Sequence, residues 1–174
     1  MLAIPFAGQL YPLRFTLCFL TRPGKVLLLR RRKAPNLGLW NGVGGHIEPG
    51  EPPLNSCLRE VREETGFQLN QLHFDGVLTW SGFADEDSGG LAFFSAPAPT
   101  GKLHPQDDEG CLAWKAQRWA CTAPDVVDNL RIILPPLFAG AAPSGYHFHY
   151  QDGRIAQHTR YPIAEDFLEQ LQPA

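Results

Sequence analysis

Residues 42–67, GVGGHIEPGEPPLNSCLREVREETGF, decide how the rest of this chain is read. Within them Leu54, Cys57, Leu58 and Val61 recur at i, i+3, i+4 and i+7, the single apolar stripe of a helix. Pro52 and Pro53 suit a first helical turn and Gly66 suits the left-handed residue just past the end, so the spacing predicts a helix from Pro53 to Thr65. Away from the stripe stand Glu60, Glu63 and Glu64, whose i, i+3, i+4 spacing sends three carboxylates toward one side. Like charges there repel, and they sit in the C-terminal half, where the helix dipole disfavours anions. A helix shaped only for stability would carry lysine at those positions. The cluster is either a solvated acidic face or a set of oxygens for a hard divalent cation. The glycines of GVGGHIEPGE, which allow close backbone approach to a phosphate, favour the cation.

Gly45, Glu51, Arg59, Glu60, Val61, Glu63, Glu64, Gly66 and Phe67 together fill G-x5-E-x7-R-E-U-x-E-E-x-G-U, with U a bulky apolar residue. This resembles the Nudix box with every fixed position occupied. The resemblance implies an α+β fold, an α/β/α sandwich whose central mixed β-sheet is flanked by helices, as a single domain over residues 1–174. It implies Mg²⁺, with Mn²⁺ as a substitute, held against a pyrophosphate group. Glu60 and Glu64 would be the principal metal ligands, Glu63 a further one directly or through water, and the Gly45 carbonyl an additional one. Arg59 matches an orienting cation that holds a box carboxylate, and Glu51 a structural partner of Arg59 or a cap on the loop. Metal ions that bridge phosphate oxygens neutralise developing charge and acidify bound water. In this family the general base comes from the box, where Glu60 is one candidate, or from a loop outside it. Glu109, in QDDEG, stands where relatives place an extra metal-binding or basic Glu, and it reads equally well as an ordinary charged turn.

Outside the box, FTLCFLTRPGKVLLLRRR, LWNGVGG and GYHFHYQDGRI are similar to the MutT-like branch that removes oxidised purine nucleoside triphosphates. From that likeness Asn41 matches a position that hydrogen-bonds the purine, its amide offering both a donor and an acceptor. Thr16 lies at the edge of the same pocket, and Trp40 reads as core. Two stretches depart from the branch. RRKAPNLG lacks the aromatic that animal relatives place near the base, and APDVVDNL offers Asp125, Asp128 and Asn129 without the tryptophan found beside their acidic pair. Asp128 and Asn129 are thus candidates for base recognition on slighter grounds than Asn41.

The 174 residues carry a formal charge of −3 with both signs interspersed, which gives no electrostatic footprint for long nucleic acid or an anionic membrane. A small-molecule nucleotide is the expected partner, with the protein a monomer or homodimer. MLAIPFAGQLYP reads as a lead-in strand or arm, too short and too interrupted by proline to span a bilayer. Cys18, Cys57, Cys111 and Cys121 form no CxxC pair, so they read as small buried hydrophobes in a reducing cytoplasm. RFTLCFLT and VLLLRRR read as a hairpin about RPGK, and Leu39 to Val43 as a short strand. Strands are expected over Leu72 to Ser81, Leu91 to Ser95 and Cys111 to Trp119, with FADEDSGG and PAPTGKLHPQDDEG as loops. A helix should follow Pro124 and stop near Pro135-Pro136, then a hairpin about QDG and a short helix in AEDFLEQL. His147 and His149 read as a solvated strand face rather than a metal pair. The leading function is Mg²⁺-dependent hydrolysis of a nucleoside triphosphate, such as an oxidised purine nucleotide, to monophosphate and pyrophosphate. The same chemistry on a nucleotide sugar, a dinucleoside polyphosphate or an RNA 5′ end is one alternative, and a non-catalytic nucleotide-binding module is another.

Overall fold

LCFL, Leu17 to Leu20, is apolar at consecutive positions because its strand is buried on both faces. In the computed structural model, which describes residues 2–83, 86–104 and 110–171, it lies in β2 (Gln9–Arg22). Leu17 and Phe19 enter one core layer, Cys18 and Leu20 the other. β2 turns through Pro23-Gly24 into β3 (Lys25–Arg31), but the two pair only at Thr21↔Val26 and Arg22↔Lys25. Beyond that they diverge. β2 runs parallel to β6 (Glu86–Pro97), while β3 runs antiparallel to β7 (Gly110–Ala116). The expected hairpin is therefore a fork, and the glycine loop fills its opening. β4 (Trp40–Asn41) pairs with β3, and the residues after it pair with β2 through Cys18↔Val43 and Phe15↔His46.

Among the described residues nine strands form one mixed sheet. It also contains β5 (His73–Phe83), β8 (Ser144–Gln151) and β9 (Arg154–Tyr161), in the order β4-β3-β2-β6-β5-β8-β9. β1 (Ala3–Phe6) is the expected lead-in strand and folds back on β2. Helix α1 (Pro53–Thr65) packs Cys57 and Val61 against Cys18, Leu20 and Val43, and Phe167 of α4 (Glu165–Gln170) joins that layer. On the opposite face lie α2 (Gln117–Ala120) and α3 (Leu130–Phe138), the latter burying Leu130, Ile133 and Leu134. This is the three-layer α+β architecture that the box implied. Among the described residues no helix is long and apolar enough to cross a membrane.

α1 spans the predicted residues, with Gly66 left-handed at φ 77° and its N–H donated to the Arg62 carbonyl. Its buried stripe is rotated from the predicted one, because Ser56 and Thr65 are buried while Leu58 is only half-buried. Thr65 tolerates burial by donating its hydroxyl to the Val61 carbonyl at 2.6 Å and accepting the Phe67 N–H at 3.0 Å.

Several expectations need correction. FADEDSGG is mostly strand, since β5 continues to Phe83 and pairs Trp80↔Gly89 and Ser81↔Ser88. Gly89 belongs there because a Cβ on it would lie 2.5 Å from the Trp80 ring. The strand in CLAWKAQRW stops at Ala116, and Gln117 to Ala120 form a helical turn that sets Trp119 edge-on to Trp40. α3 runs through Pro135 and Pro136 instead of ending at them. The prolines cannot donate, yet their carbonyls accept the amides of Ala139 and Ala141, and the buried face holds the helix to the core. Cys18 and Cys57 are buried as expected, whereas Cys111 is exposed and Cys121 only partly covered.

Candidate active site

The fork between β2 and β3 fixes the glycine loop by ordinary sheet hydrogen bonds. The Thr16 N–H donates to the Gly45 carbonyl at 2.9 Å and the Cys18 N–H to the Val43 carbonyl at 2.6 Å. Gly44 adopts φ 147°, and a Cβ there would fall 2.1 Å from the Thr16 carbonyl oxygen. The loop thus runs flush against β2, directly over the charged side of α1.

Two α1 carboxylates turn to this loop. Glu64 accepts the Gly44 N–H at 3.1 Å, and the Glu60 carboxylate presses so closely on Gly45 that a Cβ there would sit 2.6 Å from Oε2. Burial pushes the Glu60 carboxyl above the usual carboxylate range, opposed by the hydrogen bond from Arg59. Arg59 is the organiser. Its Nε and Nη2 grip both oxygens of Glu51 at 3.0 and 2.9 Å, and its Nη1 reaches Glu60 at 2.7 Å and Glu63 at 3.2 Å. Nη2 also donates to the His46 carbonyl at 3.0 Å. The bidentate contact holds the Glu51 carboxyl below its ordinary range and the guanidinium well above its own. Arg59 and Glu51 therefore pair as the box implied, and Arg59 also ties helix to loop. The Ser56 hydroxyl, which accepts from Arg59 Nη2 at 3.3 Å and donates to the His46 carbonyl at 3.3 Å, completes this knot, and neither it nor that carbonyl has a signal in the box pattern.

Among the described residues no three His, Cys, Asp or Glu side chains converge as a closed metal cage. Mg²⁺ does not need one, since it binds through one or two carboxylates and keeps waters and substrate oxygens. Glu60 and Glu64 facing a glycine loop fit that requirement, with Glu63 more exposed beside them. Glu109 lies outside the described residues.

The residues expected to meet a base are only partly gathered. Asp125 to Val127 adds to the sheet beside β4: the Trp40 N–H donates to the Asp125 carbonyl at 2.8 Å and the Val127 N–H to the Trp40 carbonyl at 3.0 Å. Asn41 and Asp128 thereby stand on neighbouring chain segments. The Asn41 Oδ1 accepts the Gly42 N–H at 2.8 Å, leaving its amide nitrogen with no protein partner among the described residues. Thr16 is fully buried on the α1 side, level with Ala92, and its hydroxyl has no partner among the described residues. The backbone of Thr16 fixes Gly45, but its side chain does not join Asp128 and Asn129, which lie toward the other core layer. Those two meet at Tyr150, a residue sequence reasoning missed: its hydroxyl lies 3.1 Å from Asp128 Oδ1 and 3.2 Å from Asn129 Nδ2. Phe83 packs edge-on against Tyr150, and separately Trp80 lies against Phe15 and Phe15 against His46 of the loop. Trp40 is core as expected, with Lys115 over its ring at 4.1 Å. His147 is not a solvated group. It is half-buried, stacked on Phe6 at 4.4 Å and bonded to Thr79 and Ser81.

The NUDIX domain family model matches residues 11–133, more than half of the chain and the whole of this loop and helix. The chain belongs to the Nudix hydrolases. It is 38% identical over 108 residues to an uncharacterized Nudix hydrolase of Bacillus subtilis, covering 60% of this chain and 66% of the relative. Over 97 residues it is 30% identical to an oxidized purine nucleoside triphosphate hydrolase of Danio rerio, covering 52% of this chain and 62% of that protein. The chain thus spans just under two thirds of the length of these curated relatives. The crystal structure of the MutT protein from Bacillus halodurans superposes with a TM-score of 0.73 at 27% identity, over 85% of this chain and 97% of that one. As a Nudix hydrolase the chain carries an unbroken box, and the structure puts its arginine at the centre.

Proposed function

We propose that this Nudix hydrolase cleaves a nucleoside triphosphate, with an oxidised purine nucleotide as the leading substrate, to the monophosphate and pyrophosphate. The observation that carries the reading is the pair of carboxylates turned onto the Gly44-Gly45 backbone, Glu60 held by Arg59 and Glu64 by the Gly44 N–H. Glu60 and Glu64, with Glu63 and the Gly45 carbonyl as further donors, would hold Mg²⁺, for which Mn²⁺ can substitute. The cation would neutralise the phosphate oxygens and acidify the attacking water. Around it the chain's own groups divide the work. Arg59 aims Glu60 and Glu63, and the glycine backbone lets the phosphates approach. Glu60, or Glu109 from outside the box, takes the proton of the attacking water. The free cysteines fit the cytoplasmic location expected for such an enzyme.

The base end of the substrate would meet Asn41, Asp128 and Asn129, while the Thr16 backbone holds Gly45 in the glycine loop beside Glu60. The likeness to the zebrafish oxidized purine nucleoside triphosphate hydrolase supports this choice of substrate. A panel of nucleoside triphosphates, nucleotide sugars, dinucleoside polyphosphates and capped RNA, assayed with Mg²⁺, tests it. Equimolar monophosphate and pyrophosphate from the triphosphates is the expected result. Release of inorganic phosphate alone, or turnover confined to the sugar, dinucleoside or RNA substrates, would overturn it.

Gly45→Ala is expected to fold but lose activity, because the new methyl group would occupy the space of the Glu60 carboxylate. The loss in kcat should be roughly tenfold or more, the scale of a small misplacement of a positioned group. Near wild-type turnover in a folded Gly45→Ala protein would show that Glu60 need not lie against the loop.

A further inference from the structure

The box pattern leaves residue 56 open, yet Ser56 is fully buried and its hydroxyl turns to the glycine loop. A buried hydroxyl must find its partners in the protein. Because a guanidinium only donates and a carbonyl only accepts, Ser56 accepts from Arg59 Nη2 and passes its own hydrogen to the His46 carbonyl, both at 3.3 Å. Nη2 also faces Glu51 Oε2 at 2.9 Å and the His46 carbonyl at 3.0 Å, so its two hydrogens are shared among more acceptors than they can fully serve. The serine hydrogen thus gives that carbonyl a second donor, independent of the arginine. On the other side of the same peptide unit, the Ile47 N–H donates to the Arg14 carbonyl of β2 at 2.9 Å. The peptide between residues 46 and 47 is therefore a crosspiece, tied to α1 at its oxygen and to β2 at its nitrogen. It lies one residue beyond Gly45, against which the Glu60 carboxylate presses.

We infer that Ser56 is a positioning residue whose hydroxyl tethers α1 to the glycine loop in parallel with Arg59, fixing Gly45 at its distance from Glu60. The inference rests on the cation site proposed above. Ser56 touches neither the cation nor the phosphates and acts only through the 46–47 peptide. The arginine tether is the shorter and carries charge, so it is the stronger of the two. Two tethers on one carbonyl back each other up, and residues that share a partner in this way do not contribute additively. Removing Ser56 should therefore matter little while Arg59 holds the carbonyl, and much more once it does not.

A double-mutant cycle in the full chain tests it, with wild type, Ser56→Ala, Arg59→Lys and the double variant compared in Mn²⁺ affinity by the free-ion paramagnetic resonance signal. Ser56→Ala alone should weaken Mn²⁺ binding about threefold, the scale of one neutral hydrogen bond. In the Arg59→Lys background the same change should weaken it about tenfold or more, because the lysine ammonium does not reproduce the fork that reaches the carbonyl. Amide hydrogen exchange gives a reading that needs no metal: Gly44 and Ile47 should exchange faster in Ser56→Ala, with the amides of the α1 interior unchanged. Where Ser56→Ala does not fold, Ser56→Cys fills the same space with a weak donor and takes its place. An equal Mn²⁺ penalty in both backgrounds would overturn the parallel tether. Faster exchange throughout the protein together with a lowered melting temperature would reduce Ser56 to a general stabilising role and overturn the inference too. Wild type that binds no Mn²⁺ would overturn the cation site, and the exchange at Gly44 and Ile47 would then decide the tether alone.

Discussion

Glu64→Gln should lower kcat by about 10²- to 10³-fold, the usual cost of removing one preorganised charge from a reacting site. The protein should remain folded, because glutamine keeps a carbonyl oxygen that can accept the Gly44 N–H now bonded at 3.1 Å. The charge is lost and the shape is kept. Circular dichroism and thermal melting should therefore match wild type within about a degree or two, since a neutral, isosteric change near the surface seldom moves stability by more than about 0.5 kcal/mol. Turnover at the wild-type rate in this variant would refute the place given to Glu64 in the cation site.

Arg59→Ala should damage both turnover and stability. The guanidinium is largely buried and serves Glu51, Glu60, Glu63 and the His46 carbonyl at once. Removing it leaves the Glu51 and Glu60 carboxylates, each under 20% exposed, without a counter-charge. Stripping one partner from such a buried group costs about 3–5 kcal/mol, and partial solvent access should bring the loss to about 2–4 kcal/mol here. Denaturant unfolding measures that directly. Turnover should fall by about 10²-fold, because Glu60 would lose both its aim and its neutraliser. Arg59→Lys separates the two effects. Its ammonium restores charge but not the fork that engages both Glu51 oxygens, so stability should recover in part and turnover less. Equal recovery of both would mean that the geometry of the fork has no catalytic consequence.

These variants centre on residues that were legible in the sequence, and the reason is local. The box residues lie within one helix and the loop before it, where spacing alone determines direction. For Glu51 the likeness to the box offered a pairing with Arg59 or a cap on the loop, and the side chain makes both contacts, binding Arg59 and accepting the Glu48 N–H at 3.2 Å. The fork was not legible, since nothing local to β2 or β3 says that they part after two residue pairs and admit a glycine loop. Non-local pairing set that, as it set the strand character of polar residues such as Ser88 against Ser81. Nor could spacing show that Thr16 faces α1 while Asp128 faces the opposite layer, because the two are far apart in the chain. Tyr150 escaped notice for a similar reason. In YHFHY it reads as one more strand aromatic, and only the third dimension sets it between Asp128 and Asn129.

The chemistry on the box side depends on a cation held by the α1 carboxylates, and that can be measured without turnover. Mn²⁺ titrated into purified protein, followed by the loss of the free-ion paramagnetic resonance signal, compares wild type with a Glu60→Gln/Glu64→Gln double variant. Wild type should bind Mn²⁺ and lose it to added Mg²⁺, and the double variant should bind at least about tenfold more weakly, the smallest effect expected when direct ligands are lost. Equal affinity in the two proteins would contradict the assignment of the cation to Glu60 and Glu64.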